Sequence, residues 1–379
     1  MTKSAIVIGA GIVGLAATHA LCKRGYKVQV LERSGKAVGA SIRNFGMLWP
    51  IGQPEGVLYS RAIRAQAIWK ELLVEAGIWH HQAGSLHMAY QADELMVMEE
   101  FVAASSQSRS LSILSKEQTL AKSKAVRAEG LLGALYSSDE MIVDPREAIA
   151  TIPLFLAEKY GVTFHWDLAA TQVDYPAVVA GGKRWSADEI YICSGADFET
   201  LYPTLFAEAP LTKCKLQMLR FESQPNDWKI GPSLCGGLSL THYEGFKVAP
   251  SLVALKERYA AQYPEHIQWG IHVMASQNGL GEITIGDSHE YGLTFDPFDR
   301  EIVNRLILDY LNSFAHFKST RVSQTWNGIY PKMTNGATEL VMSPVQGVTI
   351  INGLGGAGMT LSFGLCEEVV NGHYVQGRI

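Results

Sequence analysis

Residues 4–32 read SAIVIGAGIVGLAATHALCKRGYKVQVLE. The apolar run Ser4 to Ile8 predicts a short buried strand, and Gly9 to Gly14 (GAGIVG) turns it into a helix running to about Arg24. Tyr26 to Leu31 predicts a second strand, with Glu32 at its end. Each part answers a need of a bound dinucleotide. Gly9 permits the tight turn, Gly11 lets backbone amides approach a pyrophosphate, and Gly14 lets helix and strand pack closely. The helix N-terminus offers free N–H groups to negative charge, and Glu32 can accept hydrogen bonds from a ribose. A bare GxGxxG is a weak signal. With a strand before it, a helix after it and an acid at the right distance, it reads as a dinucleotide-binding unit.

At 379 residues the chain is long enough for two domains, or for one domain with a large insertion. Its 47% hydrophobic and 18% charged content is that of a soluble globular protein. A net charge of −5 gives no reason to expect a nucleic-acid partner or an anionic-membrane surface. The five cysteines, Cys22, Cys193, Cys214, Cys235 and Cys366, form no CxxC pair and read as buried apolar residues in a reducing compartment. The opening apolar run is too short for a signal peptide, and Val348 to Leu365 is too interrupted by glycine for a membrane helix. A cytoplasmic location without membrane insertion is the expectation; oligomeric state is left open.

Helical spacing of apolar residues appears at 57–76, 92–107 and 116–128, and Asp144-Pro145 caps and starts a helix through about Tyr160. Strands are expected at 84–89, 161–166, 170–174 and 187–194. From Leu211 to about Ser323 the texture changes. Alternating runs at 216–221, 268–274 and 282–285 predict an antiparallel sheet, with amphipathic helices near 251–262 and 300–316. Val348 to Asn352 then predicts a strand, Gly353 to Gly358 a loop, and Met359 onward a helix. The expected architecture is α/β: a Rossmann-like cofactor domain (1–85, 140–210 and 324–379) with an inserted antiparallel-sheet α+β substrate domain (86–139 and 211–323). Chemistry is expected at their seam.

Two further segments point to the cofactor. GASIRNFGM (residues 39–47) combines a hydroxyl, a guanidinium, an amide and two glycines. Ser41 and nearby amides suit a pyrophosphate or ribityl chain, while Gly46 and Met47 suit a flat ring. GLGGAG (residues 353–358) opens the last helix, whose N-terminus is a second positive dipole end. A reduced flavin carries negative charge at its N1 and C2 carbonyl region, which such a helix stabilises; a nicotinamide has no equivalent need. The second loop therefore favours FAD over NAD.

These segments, with Val143-Asp144-Pro145, CSGAD (193–197) and Trp326-Asn327-Gly328 in the same order, resemble the D-amino-acid oxidase, glycine oxidase and sarcosine oxidase family of flavoproteins. The resemblance covers essentially the whole chain and implies a GR2-type flavoprotein fold. It places FAD against Gly9, Gly11, Ile12, Gly14, Glu32 and Arg33, then against Ser41, Asn44, Phe45, Gly46 and Met47. It adds Val173, Ser194, Gly195 and Gly328, and finally Leu354, Gly355, Gly356, Gly358, Met359 and Thr360. SIRNFGMLWPIGQP (41–54), KCKLQMLR (213–220) and ITIGDSHEYG (283–292) look similar to a branch associated with aminophosphonate breakdown.

Two departures shape the expectation. Where sarcosine oxidase-like members carry a flavin-linking cysteine, this chain has Gly328, so FAD is expected to be noncovalent. Where amino-acid-oxidising members place a cation over the flavin, the matching positions look like Tyr330 and Thr360. A carboxylate without a charge-assisted partner binds poorly. Substrate-binding candidates are therefore Arg43, Asn44, Trp49, Gln53, His242 and Tyr243, with Tyr330 and Thr360. No metal site is expected: His80, His81 and His87 lack a supporting carboxylate or cysteine pattern. His289 reads as a loop residue near the seam.

The implied reaction is oxidation of a small amine by hydride transfer to flavin N5, with imine hydrolysis to an aldehyde or oxo-acid. The substrate expected first is 2-aminoethylphosphonate-like or its N-methyl derivative; the alternative is a D-amino-acid, glycine or N-methyl-amino-acid oxidase or dehydrogenase. No obligate acid–base residue is named, and the electron acceptor is oxygen or another oxidant. A reductase using NAD(P)H would need a second nucleotide fingerprint and usually a CxxC, and neither is present. A non-enzymatic flavin-binding factor would carry a flavin that no amine reduces.

Overall fold

The computed structural model describes residues 2–377. Ser4–Ile8 pairs in parallel with Lys27–Leu31 on one side and Glu189–Ile192 on the other. Its Ile6 and Val7 are fully buried, as a strand covered on both faces requires. Thr163–His165 extends the sheet beyond Lys27–Leu31, and Val348–Asn352 extends it beyond Glu189–Ile192. Leu340–Met342 closes that edge antiparallel. The ends of the chain thus share one six-stranded sheet. The helix Ile12–Lys23 packs on the closing helix Gly358–Asn371, which packs in turn on Val57–Glu75.

A nine-stranded sheet forms the second layer. Its longest ladder joins Leu211–Phe221 to Val322–Met333 in antiparallel register. The expected return to the cofactor domain at residue 324 therefore comes late, because ladder pairing holds the chain in the second sheet to Met333. The sheet is also not purely antiparallel: Ser233–Cys235 runs parallel to Ser85–Ala89. The intervening chain travels through the first sheet, so no hairpin dictates the relative direction of these two strands.

Local expectations fail in three places. The alternating run at 268–274 yields a strand only from Met274, because Pro264 opens the short helix Pro264–Gln268. The helix expected to Ala128 ends at Lys122, after which Val126 bridges to Ala315. Strands Ala177–Ala180 and Lys183–Ser186 join Ala170–Asp174 in a small antiparallel sheet that sequence patterning missed. No helix among the described residues is long and apolar enough to cross a membrane.

Polar contacts hold the two sheets together. The Asp144 carboxylate caps the helix Pro145–Tyr160 by accepting the Arg146 amide at 2.9 Å, and it also accepts Asn278 Nδ2 at 3.1 Å. Arg146 reaches across to Glu282 at 2.6 Å. Ser276 Oγ donates to the Phe45 carbonyl at 2.9 Å. Behind the seam the buried Glu140 carboxylate accepts the Ile51 amide at 2.9 Å and Ser85 Oγ at 3.3 Å.

Burial pushes the Glu140 carboxyl up from 4.5 to about 7, against hydrogen bonds that pull it down. Its folded value lies above its unfolded one, so its stabilising contribution is complete below about pH 4.5 and is lost as pH rises to about 7. Glu140→Gln keeps an acceptor for Ile51 but does not titrate. Relative to wild type it should gain on the order of 3 kcal/mol between pH 4.5 and pH 8. Urea unfolding at both pH values checks this; a constant difference would contradict it.

Candidate active site

A cavity of about 840 Å³ runs from the Gly9 turn across the seam to the second sheet. At its first end Gly9 has φ +102°, and a Cβ there would lie 2.4 Å from the Cys193 carbonyl oxygen. A Cβ on Gly14 would lie 1.9 Å from the Gly9 carbonyl, so the strand–helix turn closes only on hydrogen. The Glu32 carboxylate accepts the Ala10 amide at 2.9 Å and the Ser34 amide at 3.0 Å, which orients it at the loop with lone pairs left for hydroxyl donors. Ser41 Oγ accepts the Ile12 amide at 2.9 Å, pinning the 39–47 segment to the helix start. Arg33 lines the cavity and is ion-paired to Asp197. Ser194 and Gly195 also line it.

Three residues expected to touch the cofactor do not line the cavity: Gly14, which is packed against the Gly9 carbonyl, Val173 and Gly46. Val173 packs within the small hairpin sheet, and Ala170 takes the lining position. Gly46, at φ +73°, lies where a Cβ would sit 2.0 Å from the Val143 carbonyl, so it serves backbone approach rather than a flat ring. Phe45 and Met47 do line the cavity.

The second glycine loop meets the first. Asn352 donates to the Gly195 carbonyl at 3.0 Å and accepts the Gly353 amide at 2.7 Å, fixing the loop entry. A Cβ on Gly358 would lie 3.7 Å from Ile12 Cγ2, so the starts of the first and last helices converge on one space. Leu354, Gly355, Gly356, Met359 and Thr360 line the same stretch. Two amide-rich helix starts, a carboxylate at the end of the second strand and a cradle that admits no Cβ fit FAD.

At the far end the expected substrate residues separate into two groups. Arg43 is engaged: Nε donates to the Val38 carbonyl at 2.9 Å and Nη1 to the Asn327 carbonyl at 3.0 Å. Asn44 is spent inside its own loop, donating to Ala40 and Ser41 carbonyls and accepting the Gly46 amide. Arg43 lines the cavity with N–H groups beyond these two bonds, whereas both Asn44 amide hydrogens are taken up by its own loop. Thr360 Oγ1 accepts the Trp49 amide at 2.9 Å and fastens the cavity wall. Trp49, Gln53, His242, Tyr243 and Tyr330 do line the cavity. Burial pushes the Tyr243 and Tyr330 phenols well above their ordinary values, so both stay neutral.

Sequence reasoning missed Lys332, His272 and Asp287, which line this end together with His289. Residues 328–333, Lys332 among them, all line the cavity along one strand. The Lys332 ammonium contacts Tyr291 Oη at 3.3 Å. His242, His272 and His289 bring ring nitrogens within 4.8 Å of one another. Burial lowers the pKa of His242 and of His289. Burial pushes the Asp287 carboxyl up, and His289 and His272 more than offset this, leaving it below the usual range. The histidines weighed from sequence as metal ligands, His80, His81 and His87, stand apart from this group. His87 is wholly buried between Trp49 and Phe246 and is pushed down to about 3 by burial. His80 and His81 form a short strand pairing with Met141–Val143.

The family model described as FAD dependent oxidoreductase (DAO) matches residues 4–371. Over 293 residues the chain is 25% identical to the tRNA 5-methylaminomethyl-2-thiouridine biosynthesis bifunctional protein MnmC of Saccharophagus degradans, covering 73% of this chain and 40% of that protein. Over 48 residues it is 46% identical to D-amino acid dehydrogenase of Helicobacter pylori, covering 13% of this chain and 12% of that protein. The chain therefore spans less than half the length of these curated relatives in the matched regions. Glycine oxidase from Bacillus cereus ATCC 14579 superposes with a TM-score of 0.76 at 16% identity, over 99% of this chain and 96% of that one. That likeness establishes the shared fold.

Gly14→Ala tests the cradle. Its Cβ overlaps the Gly9 carbonyl, so the purified variant should retain its far-ultraviolet circular dichroism while binding FAD at least tenfold more weakly. Unchanged flavin stoichiometry would show that the turn tolerates the methyl group.

Proposed function

The chain belongs to the DAO family of FAD-dependent oxidoreductases, and on that premise we propose that it oxidises a small amine carrying an anionic group. The substrate class proposed first is an aminophosphonate, 2-aminoethylphosphonate-like or N-methylated. The observation that carries this reading is Lys332, a cation on the same strand face as Gly328 and Tyr330, in a cavity whose Arg43 is already engaged. Asp287 and His289, from the ITIGDSHEYG segment whose likeness suggested the phosphonate, line the same end.

Bound FAD would supply the acceptor for the two electrons leaving the substrate. The chain's own residues bind, orient and exclude water. Lys332 would hold the anionic group by a charge-assisted contact. Trp49, Tyr243 and Tyr330 would wall the reacting carbon from solvent, with Gln53 at the rim. The amine enters neutral, so no side chain is assigned as an obligate base. The imine released then hydrolyses to an aldehyde and ammonia or an alkylamine. Gly328 offers no nucleophile for a covalent link, which supports noncovalent FAD. The proposed working division places residues 1–85, 140–210 and the segment after Met333 around the cofactor, with the nine-stranded sheet supplying the substrate wall. Oxygen or another oxidant completes the cycle.

The second reading is a D-amino-acid, glycine or N-methyl-amino-acid oxidase or dehydrogenase. Lys332 would hold a carboxylate as readily as a phosphonate, and D-amino acid dehydrogenase and glycine oxidase are among the proteins this chain is similar to.

Anaerobic mixing of the holoenzyme with 2-aminoethylphosphonate, its N-methyl derivative, glycine, sarcosine and D-alanine separates the readings. Faster bleaching of the flavin absorbance by either phosphonate is expected; faster bleaching by the amino acids would replace the first reading with the second. Lys332→Met should raise KM for the preferred substrate about tenfold or more while kcat changes less, since a tenfold change corresponds to ~1.4 kcal/mol of lost binding.

A further inference from the structure

The substrate end of the cavity holds a group of side chains that its own hydrogen bonds do not satisfy. His289 Nδ1 lies 2.9 Å from the Gly270 carbonyl oxygen. A carbonyl only accepts, so this nitrogen carries the ring proton, and in the neutral ring Nε2 presents a bare lone pair. That Nε2 sits 3.8 Å from Asp287 Oδ2. His272 Nε2 lies 3.0 Å from Asp287 Oδ1, yet off the line of a hydrogen bond, and the buried Oδ1 is left without a donor. On its other side His272 Nδ1 approaches Ser239 Oγ at 3.5 Å. His242 stacks on His272 with ring centroids 3.8 Å apart and lies 4.7 Å from the His289 ring. His289 Nε2 and Asp287 Oδ2, both acceptors, therefore face one another at the wall of a cavity. A buried carboxylate oxygen without a donor calls for an explanation, and a missing ion is one of the few available.

We propose that His242, His272 and His289, together with Asp287, form a binding site for a divalent metal ion of the zinc class. Three imidazoles and one carboxylate are the ligand types such an ion takes. Two nitrogens on one zinc lie at most about 4.2 Å apart, twice the ~2.1 Å bond length. The three imidazoles lie within a 4.8 Å limit, which exceeds this, so binding requires the rings to turn towards one another, with Asp287 reached through its approach to His272 and His289. The Gly270 carbonyl already acts as the outer-shell partner that metal-bound histidines use to fix tautomer and ring orientation. The ligands come from three separate places: His242 from the short helix Leu238–His242, His272 from the segment before Met274–Gln277, and Asp287 with His289 from the turn after Ile283–Gly286. Because all four side chains line the cavity, an ion held there would face it. Its role towards substrate, drawing in an anionic oxygen opposite Lys332, rests on the amine reading above; the metal site itself does not.

The experiment is equilibrium dialysis of EDTA-treated, flavin-replete holoenzyme against zinc chloride, followed by elemental analysis. One zinc per chain at micromolar or lower free zinc is expected. His289→Gln and Asp287→Asn should each weaken binding at least a hundredfold while flavin content and thermal midpoint stay near wild type. His242→Gln, at the half-buried cavity wall, provides the same readout should either buried variant fail to fold. Failure of wild type to take up zinc at micromolar concentration would overturn the proposal. So would uptake that all three variants leave unchanged. The readout contains no substrate, so zinc uptake alongside an enzyme that ignores aminophosphonates would sink only the substrate reading.

Discussion

The ladder between Leu211–Phe221 and Val322–Met333 is the constraint on which the rest of the cavity depends. Its second strand begins among solvent-exposed residues and ends against the cofactor cradle, where Lys332 bridges to Leu354 in the C-terminal glycine loop. Along the way its backbone accepts Arg43, through the Asn327 carbonyl, and so anchors the 39–47 segment. One strand thus touches both cofactor-facing loops and the second sheet. Ladder hydrogen bonds fix register to the residue, and a slip by one would turn Tyr330 and Lys332 away from the cavity.

The cofactor end depends on a different kind of precision. Gly9 and Gly14 meet at a separation that leaves no room for a methyl group, and the starts of the first and last helices meet across Gly358 and Ile12. Backbone dipoles are rigid once packed, so positive potential is set in place before any anion arrives. Side chains at this end mostly position backbone: Glu32 holds the Gly9 turn, Ser41 the helix start, and Asn352 the second loop.

The other end of the cavity has the opposite character. Its groups are titratable side chains brought from distant parts of the second sheet, in surroundings where burial favours neutral imidazoles and phenols. Arg43 illustrates why residue type misleads here. A guanidinium in a loop beside a cofactor segment reads as an anion clamp, yet two of its N–H groups go to backbone carbonyl oxygens and hold the loop in place. Lys332 lies beyond the positions that the family resemblance marks, on a strand whose residues 328–333 all line the cavity.

From residues 4–32 and 353–358 alone, the nucleotide fold and FAD as its cofactor were legible, because turn, helix start and acid follow one another in a single local path whose geometry glycine spacing dictates. The late boundary at Met333, the parallel pairing of Ser233–Cys235 with Ser85–Ala89, and the gathering of His242, His272 and His289 with Asp287 beside them were decided only by tertiary structure. Strand partners and convergent side chains depend on contacts between residues far apart in the chain, and no local spacing encodes which of them will meet.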